Sequence, residues 1–145
     1  MNRLKGLFYY IILYNVAILM ASIFVDMQSS SYFLFKMSNN GYTLINVIGV
    51  LIILKKNMEM VNKLTRKKIS CIGVTLILIN GIFLIYSFSE SALLIDWQFA
   101  TGLILVADTV LNIIGSIAVI MLFNKEASKQ EFKLSENDNK ISESL

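Results

Sequence analysis

Residues 97–123, WQFATGLILVADTVLNIIGSIAVIMLF, form the longest apolar run of this 145-residue chain and enclose the only acidic residue set deep inside one, Asp108. Wound as a helix at about 100° per residue, the run gathers Thr101, Asp108, Asn112, Gly115 and Ser116 into one arc about 100° wide. Leu105 and Val119 share that arc. Leu103, Val106, Val110, Ile113 and Ile117 form the opposite face, which suits lipid. A carboxylate at the bilayer centre costs about 2.5–3.5 kcal/mol, whereas each Leu, Ile, Val or Phe returns about 0.3–0.6. The run is apolar enough to absorb one Asp, provided that side chain faces protein.

The rest of the chain supplies partners for this helix. Composition is 56% hydrophobic and 16% charged, outside the range of an ordinary soluble domain. There is no His, which removes imidazole base catalysis and imidazole metal ligation. A single cysteine, Cys71, allows neither an internal disulfide nor a paired-thiol centre and reads as a small packing residue. No metal constellation and no cofactor motif occurs.

Residues 7–25 follow a short basic start (Arg3, Lys5) and lack a small-residue cleavage pattern, so they read as a retained membrane helix rather than a signal peptide. Residues 26–40 are serine-rich and polar, with Tyr32, Phe33, Leu34 and Phe35 among them; this segment is expected as an outer loop whose aromatic cluster sits at the membrane surface. A second helix is expected over 38–54, a third over 69–88 and the fourth over 98–123, with Trp97 as an interfacial anchor. Residues 124–134 can prolong the last helix, and 135–145 (SENDNKISESL) have the composition of a disordered cytoplasmic tail. The expected architecture is all-α: an integral membrane four-helix bundle of two antiparallel hairpins in residues 1–134, followed by that tail.

Charge orients it. Arg3, Lys5, six basic residues within 55–68 and four after Phe123 make twelve of the thirteen Lys and Arg on one side; Lys36 alone lies on the other. The positive-inside rule then places both termini in the cytoplasm. The basic balance needs no nucleic acid, and the cluster from Lys55 to Lys68 faces anionic lipid headgroups. The preference for Lys over Arg, with abundant Ile and Asn, suggests a bacterial source and a cell-membrane location.

Spacing also proposes an interior site. Gly73, Asn80 and Ser87 recur every seven residues in the third helix, as do Thr101, Asp108 and Gly115 in the fourth. In an antiparallel hairpin, equal depth matches Gly73 with Gly115, Asn80 with Asp108, and Ser87 with Thr101. That arrangement gives a close glycine contact, a mid-membrane polar pair and an outer hydroxyl pair. Around the first loop, Asn15 falls opposite Gly49, with Asn46 nearer the outside. Asp108, Asn80, Asn112, Asn15 and Asn46 are therefore the candidate intramembrane polar site, and Gly73, Gly115, Ser87 and Thr101 the candidate packing positions. No Lys or Arg falls at the depth of Asp108 in this register, so the acid is expected to sit there as a neutral hydrogen-bond donor.

For function, no nucleophile stands beside a base, and a second deep Asp is missing, so an enzyme is not expected. The expected role is non-catalytic interaction, as an accessory subunit or an immunity-type protector against membrane-active peptides or toxins, with a membrane protein or a second copy as partner. The alternative is a small proton-coupled transporter or an oligomeric ion pore that uses Asp108.

Overall fold

The computed structural model describes residues 1–25, 29–93 and 98–142, with side chains described except at 88–93, 98–105, 133–134 and 136–142. The described chain contains helices α1 (Asn2–Phe24), α2 (Ser30–Lys56), α3 (Lys63–Leu93) and α4 (Gln98–Ser142), with a short 3-10 turn at Met58–Met60 between α2 and α3. There are no strands among the described residues. Four segments are long and apolar enough to cross a membrane: Asn2–Phe24, Ser30–Lys56, Lys63–Ser87 and Val106–Phe132. These are rich in Ile and Val, which are mediocre helix formers in water. In hydrocarbon the balance differs, because a backbone group without an internal hydrogen bond costs several kcal/mol and the helix satisfies all of them.

The helix ends are set by local chemistry. Ser29 caps α2, its hydroxyl accepting the Tyr32 backbone N–H at 3.2 Å. This cap starts α2 eight residues before the expected Ser38, so residues 30–37 of the expected outer loop form two further turns of helix, while 26–28 lie outside the described residues. Asn62 caps α3 in the same way, its Oδ1 accepting from the Thr65 N–H at 2.8 Å, so α3 begins at Lys63 rather than at 69. At the far end α4 continues past Phe123 through 124–134, as the sequence allows, and on to Ser142, into the stretch expected as a disordered tail. The extension carries several Lys and Glu, which hold helix well.

The helices contact one another in a closed ring: α1 touches α4 and α2, α2 touches α3, and α3 touches α4. The most extensive surfaces are those of α1 with α4 and α2 with α3. Inside the ring the core has three layers. A large apolar layer joins Leu4, Phe8 and Ile11 to Val47, Val50, Leu54, Ile69, Leu76, Val119 and Phe123. A smaller one holds Ile18, Tyr32 and Phe83, with Tyr14 and Phe35 packed against it. Between them lies a layer of polar side chains.

This distribution inverts that of a soluble protein. Asn15, Lys36, Asn39, Asn40, Asn80, Thr109, Asn112 and Ser116 are all 0% exposed, while Ile23, Phe24, Ile45 and Ile85 are 70–79% exposed. A bundle with amides inside and isoleucines outside is arranged for an apolar solvent. The outward face of α4 includes Val110 and Ile117, as its periodicity indicates, together with Leu111 and Ile114.

The expected glycine pair does not form. A β-carbon on Gly73 would come within 3.0 Å of Leu51 on α2, and one on Gly115 within 2.8 Å of Leu76 on α3. Each glycine instead receives a leucine from a neighbouring helix. A Gly115→Ala chain is accordingly expected to be less stable than wild type, because overpacking against buried Leu76 costs about 1–3 kcal/mol and helix propensity returns only about 0.5–1. Gly81 has open space at the same position, so Gly81→Ala is expected to be neutral or stabilising. Thermal unfolding of both variants in the same detergent checks the contrast.

Candidate functional site

The polar layer is built around Asp108. Its side chain is 4% exposed and accepts three hydrogen bonds from residues on two helices. Oδ2 takes hydrogen bonds from Lys36 Nζ at 2.5 Å and Asn40 Nδ2 at 2.8 Å, both on α2. Oδ1 accepts from Asn112 Nδ2 at 3.3 Å, one turn along α4. The Lys36 ammonium also donates to Thr109 Oγ1 at 2.8 Å and lies 5.3 Å from the centre of the Phe83 ring. A buried cation over an aromatic face gains further stabilisation once water is excluded.

Lys36 is the largest departure from the sequence reading. Expected as the one basic residue on the outer side, it is 0% exposed and paired with the acid at the centre of the bundle. The reason lies in the extra turns of α2. Once that helix starts at Ser30, its buried residues are Tyr32, Lys36, Asn39, Asn40, Thr43, Val47, Val50 and Leu54, a single stripe at helical spacing. Two of its turns are polar, and they meet the polar turns of α1 and α4. Asp108 is thus paired with a lysine, and not the isolated acid that its expected surroundings implied.

Two amide pairs flank the ion pair. Asn80 on α3 and Asn112 on α4 exchange hydrogen bonds, at 2.8 Å from Asn80 Nδ2 and 3.2 Å from Asn112 Nδ2. Asn80 Nδ2 also donates to the Leu76 carbonyl at 2.7 Å. Asn15 on α1 pairs with Asn39 on α2, with Asn39 Nδ2 donating at 3.0 Å and Asn15 Nδ2 at 3.4 Å. Asn15 Nδ2 also reaches the Ile11 carbonyl at 2.8 Å. Reciprocal amides satisfy donor and acceptor together, the arrangement that a buried Asn needs.

Four of the five expected site residues therefore meet in this layer, in a different register. Asn80 pairs with Asn112, one turn from the expected Asp108, and Asn15 pairs with Asn39 instead of lying opposite Gly49. Asn46 is not part of it: its amide donates to the Tyr42 carbonyl of its own helix at 2.8 Å, away from the interior. Ser87 is buried on α3, while the Thr101 side chain, its expected partner, lies outside the described residues. Sequence reasoning missed Lys36, Asn39, Asn40 and Thr109. Extending the 3.6-residue period of α2 toward Ser29 would have found the first three.

Further polar contacts tie the opposite end of the bundle. Glu126 on α4 is 5% exposed and accepts from the Asn62 backbone N–H at 3.0 Å, Asn62 Nδ2 at 2.9 Å and Thr65 Oγ1 at 2.9 Å. Its carboxylate sits at the N-terminus of α3, where the helix dipole favours negative charge. Nearby, Lys5 Nζ donates to Asn124 Oδ1 at 3.1 Å.

The chemistry available at the centre is electrostatic and structural. Asp108 and Lys36 neutralise each other, so the layer carries no net charge while joining α2 to α4. No group of three His, Cys, Asp or Glu side chains suited to a metal occurs among the described residues. Compared with known proteins, this chain matches no family model, no curated protein and no solved structure.

Proposed function

We propose that this chain is a small multi-pass protein of a bacterial cell membrane that acts by interaction, as an accessory subunit or an immunity-type protector against membrane-active peptides or toxins, without catalysis. In this reading the helices form two antiparallel hairpins and both termini are cytoplasmic. The observation that carries it is the mutual satisfaction of the interior charges: Lys36 and Asp108 are held by each other and by Asn40, Thr109 and Asn112. A network that joins α2 to α4 in this way fixes which helix faces point outward, and outward-facing side chains are what a partner within the bilayer would touch. Burial of Lys36 also removes the one basic residue assigned to the outer side, which leaves the charge bias toward one end without an exception.

One observation favours transport as a second reading. Asn40 Oδ1, Thr43 Oγ1, Ser87 Oγ and Ser116 Oγ are buried without a hydrogen-bond partner among the described residues. Such atoms are ordinarily met by water, and water beside a buried Asp is what a proton-coupled carrier requires.

Two measurements separate the readings. Cells of a susceptible bacterium expressing the chain are challenged with a panel of pore-forming peptides, with dye-reported depolarisation as the readout. Sealed proteoliposomes are then tested for proton flux under an imposed pH gradient, with wild type beside Lys36→Met/Asp108→Leu. Protection without flux, retained in the folded double variant, is the expected result. Flux from wild type that the double variant abolishes would replace this reading with the carrier.

A further inference from the structure

A groove of about 600 Å³ runs along the α3–α4 seam at the basic end of the bundle, walled by Cys71 and Ile72 of α3 and by Ala118, Met121 and Leu122 of α4. Lys68 and Lys125 complete its lining. Both lysines are exposed, and the only ion pair among the described residues is the interior one between Lys36 and Asp108. Lys68 directly precedes the apolar run that begins at Ile69, and Lys125 follows the run that ends at Phe123. Two unneutralised cations therefore stand together where two membrane segments leave the hydrocarbon, above a slot whose walls are almost entirely apolar.

We propose that this groove is a binding site for one anionic phospholipid of the surrounding membrane. The phosphate sits between Lys68 and Lys125, and an acyl chain descends against Ile72, Met121 and Ala118. The occupant follows from charge complementarity combined with depth. A soluble anion would match the lysines but leave the apolar walls unmatched, and a zwitterionic lipid would match the walls but not the paired cations. Near a membrane surface each lysine contributes about a five-fold preference for an anionic headgroup, so the pair gives a preference on the order of thirty-fold. This site is independent of how the protein's role is read.

Native mass spectrometry of the full-length protein, released from micelles containing equal phosphatidylglycerol and phosphatidylcholine, measures the identity of the first retained lipid. The expected result is a single phosphatidylglycerol favoured over phosphatidylcholine, a preference about five-fold weaker in Lys68→Gln or Lys125→Gln and absent in the double variant. Lys55→Gln/Lys56→Gln, with the same charge loss outside the groove, retains it. Cys71 gives a local readout, since it is exposed and is the only cysteine. Its alkylation by a maleimide in nanodiscs is slower with phosphatidylglycerol than with phosphatidylcholine, and both groove lysines are needed for the difference. Equal retention of the two lipids by wild type overturns the proposal. So does a preference that disappears with Lys55 and Lys56 instead, or shielding of Cys71 by soluble glycerol phosphate to the same extent as by lipid.

Discussion

Replacing Lys36 by Met is expected to destabilise the folded bundle by about 3–5 kcal/mol, and Asp108→Leu by a similar amount, because each leaves an uncompensated charge in a buried site. In the first case the Asp108 carboxylate keeps only the amides of Asn40 and Asn112. In the second, the Lys36 ammonium keeps the Thr109 hydroxyl and the Phe83 ring. Lys36→Met/Asp108→Leu removes both charges and fills the space with side chains of similar size. Replacements of this kind are often neutral or stabilising, so the double variant is expected to recover most of the loss. A double-mutant cycle in mixed micelles, followed by unfolding in a denaturing detergent, reads the coupling directly. Single variants within 1 kcal/mol of wild type would show that the two side chains do not meet in the membrane. The cycle also bears on what the pair is for. If the double variant folds but loses protection, the ion pair contributes to function beyond holding α2 against α4.

The interior was legible in the sequence only where polar residues stood alone. Asp108, Asn112, Asn80 and Asn15 each interrupt an apolar run and are buried, as composition and period together indicate, whereas Asn46 interrupts one too and satisfies its amide on the Tyr42 carbonyl of its own helix instead. Lys36, Asn39 and Asn40 escaped for the opposite reason. They lie in a segment dense with Ser and Asn, where average polarity suggests a loop, although Lys36, Asn39 and Asn40 share one helical face. Ser29 as a helix cap was the local signal that went unread. Register was the second difficulty. Matching positions by equal depth assumes straight helices and evenly shared loops, and an error of one turn moves Asn80 from Asp108 to Asn112. Composition favours neither pairing until Lys36 is placed. With the lysine and Asn40 already on Asp108, the amide of Asn80 finds its complement one turn further along α4.

Glu126 lay beyond the apolar run among charges of both signs, where nothing in the sequence distinguished it from a solvated tail residue. Its three hydrogen bonds place it among the groups whose loss has the largest expected effect. Hydrogen bonds to a charged group contribute about 1.5–3 kcal/mol, and a carboxylate at a helix N-terminus adds about 0.3–1. Glu126→Ala is therefore expected to destabilise the bundle by about 2–3 kcal/mol, and Glu126→Gln by less, since the amide keeps one acceptor but not the charge. The loss should be local before it is global. Asn62 caps α3 and donates to Glu126 through both its backbone and its side chain, so the freed segment is the connection between α2 and α3 together with the first turn of α3. Hydrogen exchange in nanodiscs should show faster exchange across residues 57–66 in Glu126→Ala, with the polar layer around Asp108 unchanged. Equal protection of that segment in variant and wild type would mean that the Asn62 cap and the membrane surface hold the connection without the carboxylate. In that case Glu126 is buried at the N-terminus of α3 without anchoring it.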